Sequence, residues 1–272
     1  MKLNVLSLNV LHIIHELNHA FNSSPVLDKY GIGRDTGNES TRLESVRLES
    51  TRLKDLVNLI SSRLSEHTIM CLQEVPGDLL NLLSEESIHH TVYSHRYSRQ
   101  PKLKNQRIPN PYIDSFEYLV TMIPNALVTG LDSSFIGFSD FGKGGLVVEI
   151  NAGIRIINVH MTPGSIGDTR DKIMNLIDQS LESYPGKYLM IGDFNSDHLE
   201  LKNDLKNNMK RLSDSTIHPI KGDTRKGLSN GIVRFSKLDH LVTSRDIPIC
   251  KTFVEDTNDL SDHMMIGCIM MI

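Results

Sequence analysis

The chain has 272 residues, 39% of them apolar and 23% charged, which is ordinary globular composition and enough length to bury a full core. A net charge of −4 excludes a surface that is basic as a whole, so any grip on nucleic acid must rest on a local patch. Cys71, Cys250 and Cys268 stand in no metal-like or paired spacing, which predicts free thiols and an intracellular, by default cytoplasmic, protein. The N-terminus lacks a continuous apolar h-region and the apolar run 264–272 is short, so neither a signal peptide nor a membrane span is expected.

In chain order, KLNVLSLNVL (2–11) predicts a central strand with Asn9 near its end. An amide there is either a satisfied core group or a carbonyl aimed at a metal or its water. HELNH (15–19) matches the zinc-protease pattern H-E-x-x-H, with Glu39 downstream as a possible third ligand. Only about one strand fits before it, too little for a protease cleft, so an amphipathic helix without chemistry is expected. STRLESVRLESTRLK (40–54) repeats a five-residue unit and predicts one long helix, solvated in its first half, with an apolar stripe from Leu53 onward. TIMCLQEV (68–75) predicts a buried strand whose terminal Glu74 needs a cation, which makes it the first candidate magnesium ligand.

The segment 89–107 carries Arg96, Arg99, Lys102, Lys104 and Arg107, no acid, and two interleaved tyrosines. It reads either as a track for a phosphate backbone or as a solvated loop. Strands are expected at 118–128, 146–150 and 154–159, the last ending in His160. The glycines around Lys143 lack phosphate-loop spacing and read as a turn. An amphipathic helix over 168–184 leads into KYLMIGDFNSD, a strand that Gly192 is expected to break. Asp193 and Asn195 then point the same way, with Phe194 turned to the core. That pair suits a water that must lose a proton beside a phosphate that must be held. Two readings compete: an ordinary strand-to-loop turn, which the stretch taken alone favours, and a calcium loop, but glycine is absent at the loop's sixth position and Asp204 replaces the bidentate glutamate. KLDH and LSDH place Asp239, and Asp262 with His263, at the starts of two further strands.

Polar groups thus gather at one end of many strands, the usual mouth of a site in a layered α/β protein. Their hard oxygens favour Mg²⁺ or Mn²⁺ over zinc. LSLNVL, CLQEV, NVHM, GDFNSD, KLDH and LSDH, in that order over 6–263, resemble the endonuclease/exonuclease/phosphatase (DNase I-like) superfamily. In motif style they are closest to its branch of CCR4-type deadenylases, nocturnin-like enzymes and 2′,5′-phosphodiesterases. The resemblance implies one domain over 1–272, a four-layer α/β sandwich of two packed mixed sheets flanked by helices. It implies Glu74 as metal ligand with Asn9 and Asp262 close by or ligating through water, and Asp193 as the base for water. Asn195 and His160 would hold phosphate oxygens, and His263, oriented by Asp239, would stabilise charge or move a proton. Pro163 departs from branches that carry a polar phosphate contact there. The function expected is a Mg²⁺-dependent phosphodiesterase on nucleic acid, RNA or single strands before duplex DNA, with Arg96, Arg99, Lys102 and Lys104 binding substrate. The alternatives are a phosphomonoesterase or a phospholipid or inositol-phosphate hydrolase of the same superfamily, and the zinc protease.

Overall fold

The structure, a computed structural model, describes residues 1–19, 24–32, 39–105, 108–130, 132–163, 167–206, 209–229 and 232–272. The chain runs through β1 (Lys2–Asn9), α1 (Ile13–His19), α2 (Pro25–Tyr30), α3 (Glu39–Arg63), β2 (Thr68–Pro76), α4 (Gly77–Glu86), β3 (His90–Arg96) and β4 (Glu117–Pro124). Next come β5 (Ser134–Phe138), β6 (Lys143–Ile150), β7 (Ile154–His160), α5 (Gly167–Glu182), β8 (Lys187–Asp193) and α6 (His198–Lys206). The last part gives β9 (Thr216–His218), β10 (Arg225–Ser229), β11 (Ile232–Ser236), β12 (Asp239–Thr243), β13 (Ile249–Glu255) and β14 (Met265–Met271).

Two mixed six-stranded sheets form the centre, ordered β13-β14-β1-β2-β4-β3 and β5-β6-β7-β8-β12-β9, while β10 and β11 pair as a separate hairpin. Alternation along each strand sorts the side chains. Val5, Ile69, Cys71 and Leu119 of one sheet meet Val148, Ile156, Leu189 and Ile191 of the other in the core between them. The opposite faces are covered by helices. Leu6, Met70 and Val120 pack under Leu53, Leu56 and Ile60 of α3, and Ile157, Met190 and Val242 pack under Ile173 and Ile177 of α5. The four-layer sandwich follows.

Each sheet holds one parallel pair, β1 with β2 and β7 with β8, and the other pairings are antiparallel. A parallel pair needs a crossover, supplied by the segment carrying α1 to α3 in the first sheet and by α5 in the second. Its two strands then end on the same side. Asn9 pairs in register with Gln73, beside Glu74, and His160 pairs with Asp193. Antiparallel neighbours begin where those strands end, so Asp239 of β12 lies opposite Asp193 and the start of β14 lies beside the end of β1.

Three expectations need correction. Gly192 does not break β8, which runs on to Asp193, because the glycine lies where β7 comes too close for a side chain. A Cβ there would stand 2.1 Å from the Val159 carbonyl oxygen. The strand expected over 118–128 is Glu117–Pro124, after which a short 3₁₀ turn takes over. The buried side of α3 begins before Leu53, since Glu49 and Arg52 are fully enclosed. Among the described residues, no helix is long and apolar enough to cross a membrane.

Candidate active site

At the shared end of the two sheets a bulge interrupts β2 between Leu72 and Val75 and leaves Glu74 at φ 55°. Such an irregularity re-aims a side chain out of the strand's alternation. The Glu74 carboxylate accepts from Asn9 Nδ2 and from the His12 backbone N–H, both at 3.1 Å. The two sheets are tied just behind it. Asn158 of β7 donates to the Leu72 and Val120 carbonyls at 3.0 and 2.8 Å and accepts from Gln73 Nε2 at 2.6 Å.

Asn9 reads from the sequence either as a satisfied core amide or as a carbonyl aimed at a metal or its water. Its carbonyl oxygen accepts from the Leu11 backbone N–H at 3.0 Å. Its amide bridges two carboxylates, Glu74 at 3.1 Å and Asp193 Oδ2 at 3.2 Å. Asn9 therefore aligns the acids, one from each sheet.

Asp193, 2% exposed, also accepts from the backbone and side-chain amides of Asn195 at 2.8 and 3.1 Å. Burial raises its pKa, and Asp239 adds to the rise while the positive charges of His263 and Lys143 oppose it. Asn195, at φ 50°, donates its second amide hydrogen to the Met161 carbonyl at 2.9 Å. Both of its hydrogens are thus engaged, and its oxygen suits an attacking water better than a phosphate oxygen.

His263 lies 3.8 Å from Asp193 Oδ2 through Nε2 and is held by Asp239 through Nδ1 at 2.9 Å. Burial favours the neutral ring, but Asp239, Asp262 and Asp193 outweigh it and carry the pKa up to about 10. Asp262 accepts from Arg225 Nε at 2.8 Å through one oxygen, and its other oxygen is buried without a partner. His160 is buried at the end of β7 with its pKa held well below the usual range by burial, then by the Lys143 charge.

Asp193, Asn195, Asp262 and His263 line a cleft of about 940 Å³ that also takes in Glu74, Glu117, His15, Lys143 and Arg225. The expected site residues Asp193, Asn195, Glu74, Asp262 and His263 share that lining, as do Arg99, Lys102 and Lys104. Arg96 departs. It projects from β3, and its guanidinium stacks on the Phe116 ring at 4.6 Å. Arg107 lies outside the described residues.

His15 was assigned no chemistry, yet it reaches the cleft and bonds Glu117 at 2.9 Å. The other two candidate zinc-protease ligands, the side chains of His19 and Glu39, lie outside the described residues. Lys143, which the sequence suggests only as part of a turn, also lines the cleft, as do Glu117 and Arg225, to which no role falls from the sequence. Glu117 had a signal, an acid heading the apolar run YLVTMIP. Arg225 had none, since the hairpin that brings it follows a loop-rich stretch.

Among the described residues no three His, Cys, Asp or Glu side chains are grouped as a ready metal cage. Mg²⁺ asks for less, one or two carboxylates completed by water and substrate oxygen. Glu74 and Asp262, the latter with its unpartnered oxygen, fit that requirement.

Among solved structures, that of D. rerio TDP2 complexed with a single strand DNA product is similar over 100% of this chain and 99% of its own, at TM-score 0.67 and 13% identity. A Bacteroides vulgatus endonuclease/exonuclease/phosphatase matches over 100% and 99%, at TM-score 0.63 and 13% identity. TDP2 from C. elegans matches over 100% of this chain and 76% of its own, at TM-score 0.62 and 13% identity. Among curated proteins, none matches by sequence. The model of the Endonuclease/Exonuclease/phosphatase family matches residues 6–263, which includes every group described at the cleft, and the chain belongs to that family.

Proposed function

We propose that the chain is a Mg²⁺- or Mn²⁺-dependent phosphodiesterase that hydrolyses single-stranded nucleic acid. The observation that carries the reading is the pairing across one cleft of Asp193, a buried carboxylate, with His263, an imidazole kept cationic by Asp239, 3.8 Å apart. A base and an acid with opposed environments are the pair that in-line hydrolysis needs. The single strand is favoured by the basic rim on an otherwise acidic molecule, and by the product bound to the structurally similar D. rerio TDP2.

Glu74 and Asp262 would hold the metal, which supplies Lewis-acid polarisation of a phosphoryl oxygen. Asn9 keeps Glu74 and Asp193 in fixed relation. Asp193, with the Asn195 carbonyl, orients a water and takes its proton as the water oxygen bonds to phosphorus. The bond from phosphorus to the ester oxygen breaks, and His263 delivers a proton to that departing oxygen. The products are a phosphomonoester and a free hydroxyl. Asp239 keeps the His263 ring in the required orientation.

The test is a labelled single-stranded RNA and DNA panel with Mg²⁺ or Mn²⁺. EDTA should abolish cleavage and added metal restore it. Asp193→Asn and His263→Ala should each lower kcat by roughly 10²- to 10⁴-fold. Their double variant should be little worse than the poorer single one, because they serve one step. Near wild-type turnover by Asp193→Asn, or full activity in excess EDTA, would sink the assignment. Cleavage of phosphomonoesters or lipid headgroups in place of oligonucleotides would keep the chemistry and replace the substrate.

A further inference from the structure

Lys143 sits in a segment shaped around it. Gly142 before it has φ 67° and Gly144 after it has φ 152°, both outside the range that L side chains favour. A Cβ on Gly144 would stand 2.3 Å from the Ile136 carbonyl oxygen, and one on Gly137, its partner across the β5–β6 pair, 2.5 Å from the Gly144 Cα. The two strands therefore approach more closely than side chains would permit. Because Gly144 pairs in register with His160, Lys143 is placed one residue further, at the mouth. The glycines that resembled a phosphate loop only in composition thus deliver a lysine to the cleft.

What the ammonium meets there is one nitrogen, His160 Nε2. Lysine carries no lone pair, so it must donate and the imidazole must accept. The proton of His160 then sits on Nδ1, which is buried without a hydrogen-bond partner, 3.8 Å from Glu117 Oε1. His160 has no N–H left to offer a phosphate oxygen.

The other cations deep in the cleft are each anchored to a carboxylate. Arg225 bonds Asp262, His263 bonds Asp239 and His15 bonds Glu117. Among the described residues Lys143 forms no ion pair, and an ammonium with three hydrogens is served by one lone pair. Two donors remain, at the place where a phosphoryl group would enter.

We propose that Lys143 is the residue that binds the non-bridging oxygens of the substrate's phosphoryl group, and that His160 acts on substrate only by positioning the Lys143 ammonium. This rests on the phosphoester-hydrolase reading and assigns one of its contacts. As charge accumulates on those oxygens in the transition state, a donor already aimed at them stabilises it more than the ground state.

The experiment compares wild type with Lys143→Met, Lys143→Arg and His160→Ala. The readouts are kcat and KM on a labelled single-stranded oligonucleotide, Ki and directly measured Kd for inorganic phosphate, and circular dichroism to confirm folding. Lys143→Met should fold normally, lower kcat by roughly 10²-fold, in the range of a lost charge-stabilising donor, and weaken phosphate binding at least tenfold. Lys143→Arg should recover part of both. If Lys143→Met retains wild-type phosphate affinity and kcat, the proposal falls, and it falls equally if His160→Ala removes phosphate binding that Lys143→Met retains. An Asp193→Asn control separates the two claims. When that variant is inactive and Lys143→Met is unimpaired, only the Lys143 assignment fails. If wild type cleaves no phosphoester, the hydrolase reading fails, while phosphate binding still decides Lys143.

Discussion

Arg47 with Glu44 and Arg52 with Glu49 are the same pair in successive units of one repeat, at 2.6 Å in both cases. Five residues on a helix turn a side chain by about 140°. That rotation takes the pair from solvent, at 66% and 51% exposure, into the interior, at 0% for both. The repeat made the pairing legible in the sequence, but identical residues carry no mark of which copy faces the core. In the interior Arg52 donates to the Val10, Leu11 and Leu260 carbonyls at 3.0, 3.0 and 2.8 Å, besides Glu49. Those carbonyls flank Asn9 on one side and Asp262 on the other, so one guanidinium fastens the segment that follows Asn9 to the one that precedes Asp262. Arg52→Met should cost about 3–5 kcal/mol in urea unfolding, because Glu49 is left buried and unpaired. Arg52→Lys should not restore it, since an ammonium has three donors where five are in use. Arg47→Ala should leave the urea midpoint unchanged. A midpoint in Arg52→Met equal to that of Arg47→Ala would show that the buried pair fastens nothing.

Among the elements, the strands that end in polar groups were the readable part. Apolar runs closing on Asn9, Glu74, His160 and Asp193 announce both the strands and their common mouth, because polar groups at so many strand ends must find their partners in one another. What alternation could not show is where two backbones touch. A glycine in a strand pattern marks either a stop or a close approach, and Gly192 is the second. Neither the bulge at Glu74 nor the tie made by Asn158 leaves a signature, since both depend on the partner strand or sheet. Gly192→Ala should force β7 and β8 apart between His160 and Asp193, with a loss of roughly 2–5 kcal/mol from overpacking and the strained φ of 147° together. Gly153→Ala isolates the backbone contribution, because Gly153 has φ 66° with nothing within 4 Å of an added Cβ, and it should lose only about 1 kcal/mol. Equal losses in the two variants would mean that contact with the Val159 carbonyl does not set the spacing of the parallel pair.

On the scale of the molecule, charge is unevenly placed. The chain carries −4 overall, while Arg99, Lys102 and Lys104 stand together along one side of the cleft. The run from 89 to 107 showed that patch by composition, and three of its four proposed substrate contacts do line the cleft. Arg96 does not, because β3 fixes its direction and Phe116 offers its guanidinium an aromatic face. Sequence spacing cannot tell a strand-borne cation from a loop-borne one that can reach substrate. The difference is measurable through counterion release, where each phosphate contact on a single strand contributes about −0.7 to the slope of log affinity against log salt. Neutralising Arg99, Lys102 and Lys104 together should make that slope shallower by up to about 2 and raise KM on a long strand, with kcat little changed. On a dinucleotide, too short to reach the rim, the triple variant should match wild type. Arg96→Ala should leave the slope alone on either substrate. If the triple variant keeps the wild-type slope, the rim is a solvated loop and affinity comes from the cleft itself. If Arg96→Ala flattens it, the bound strand runs along β3 instead of across the mouth.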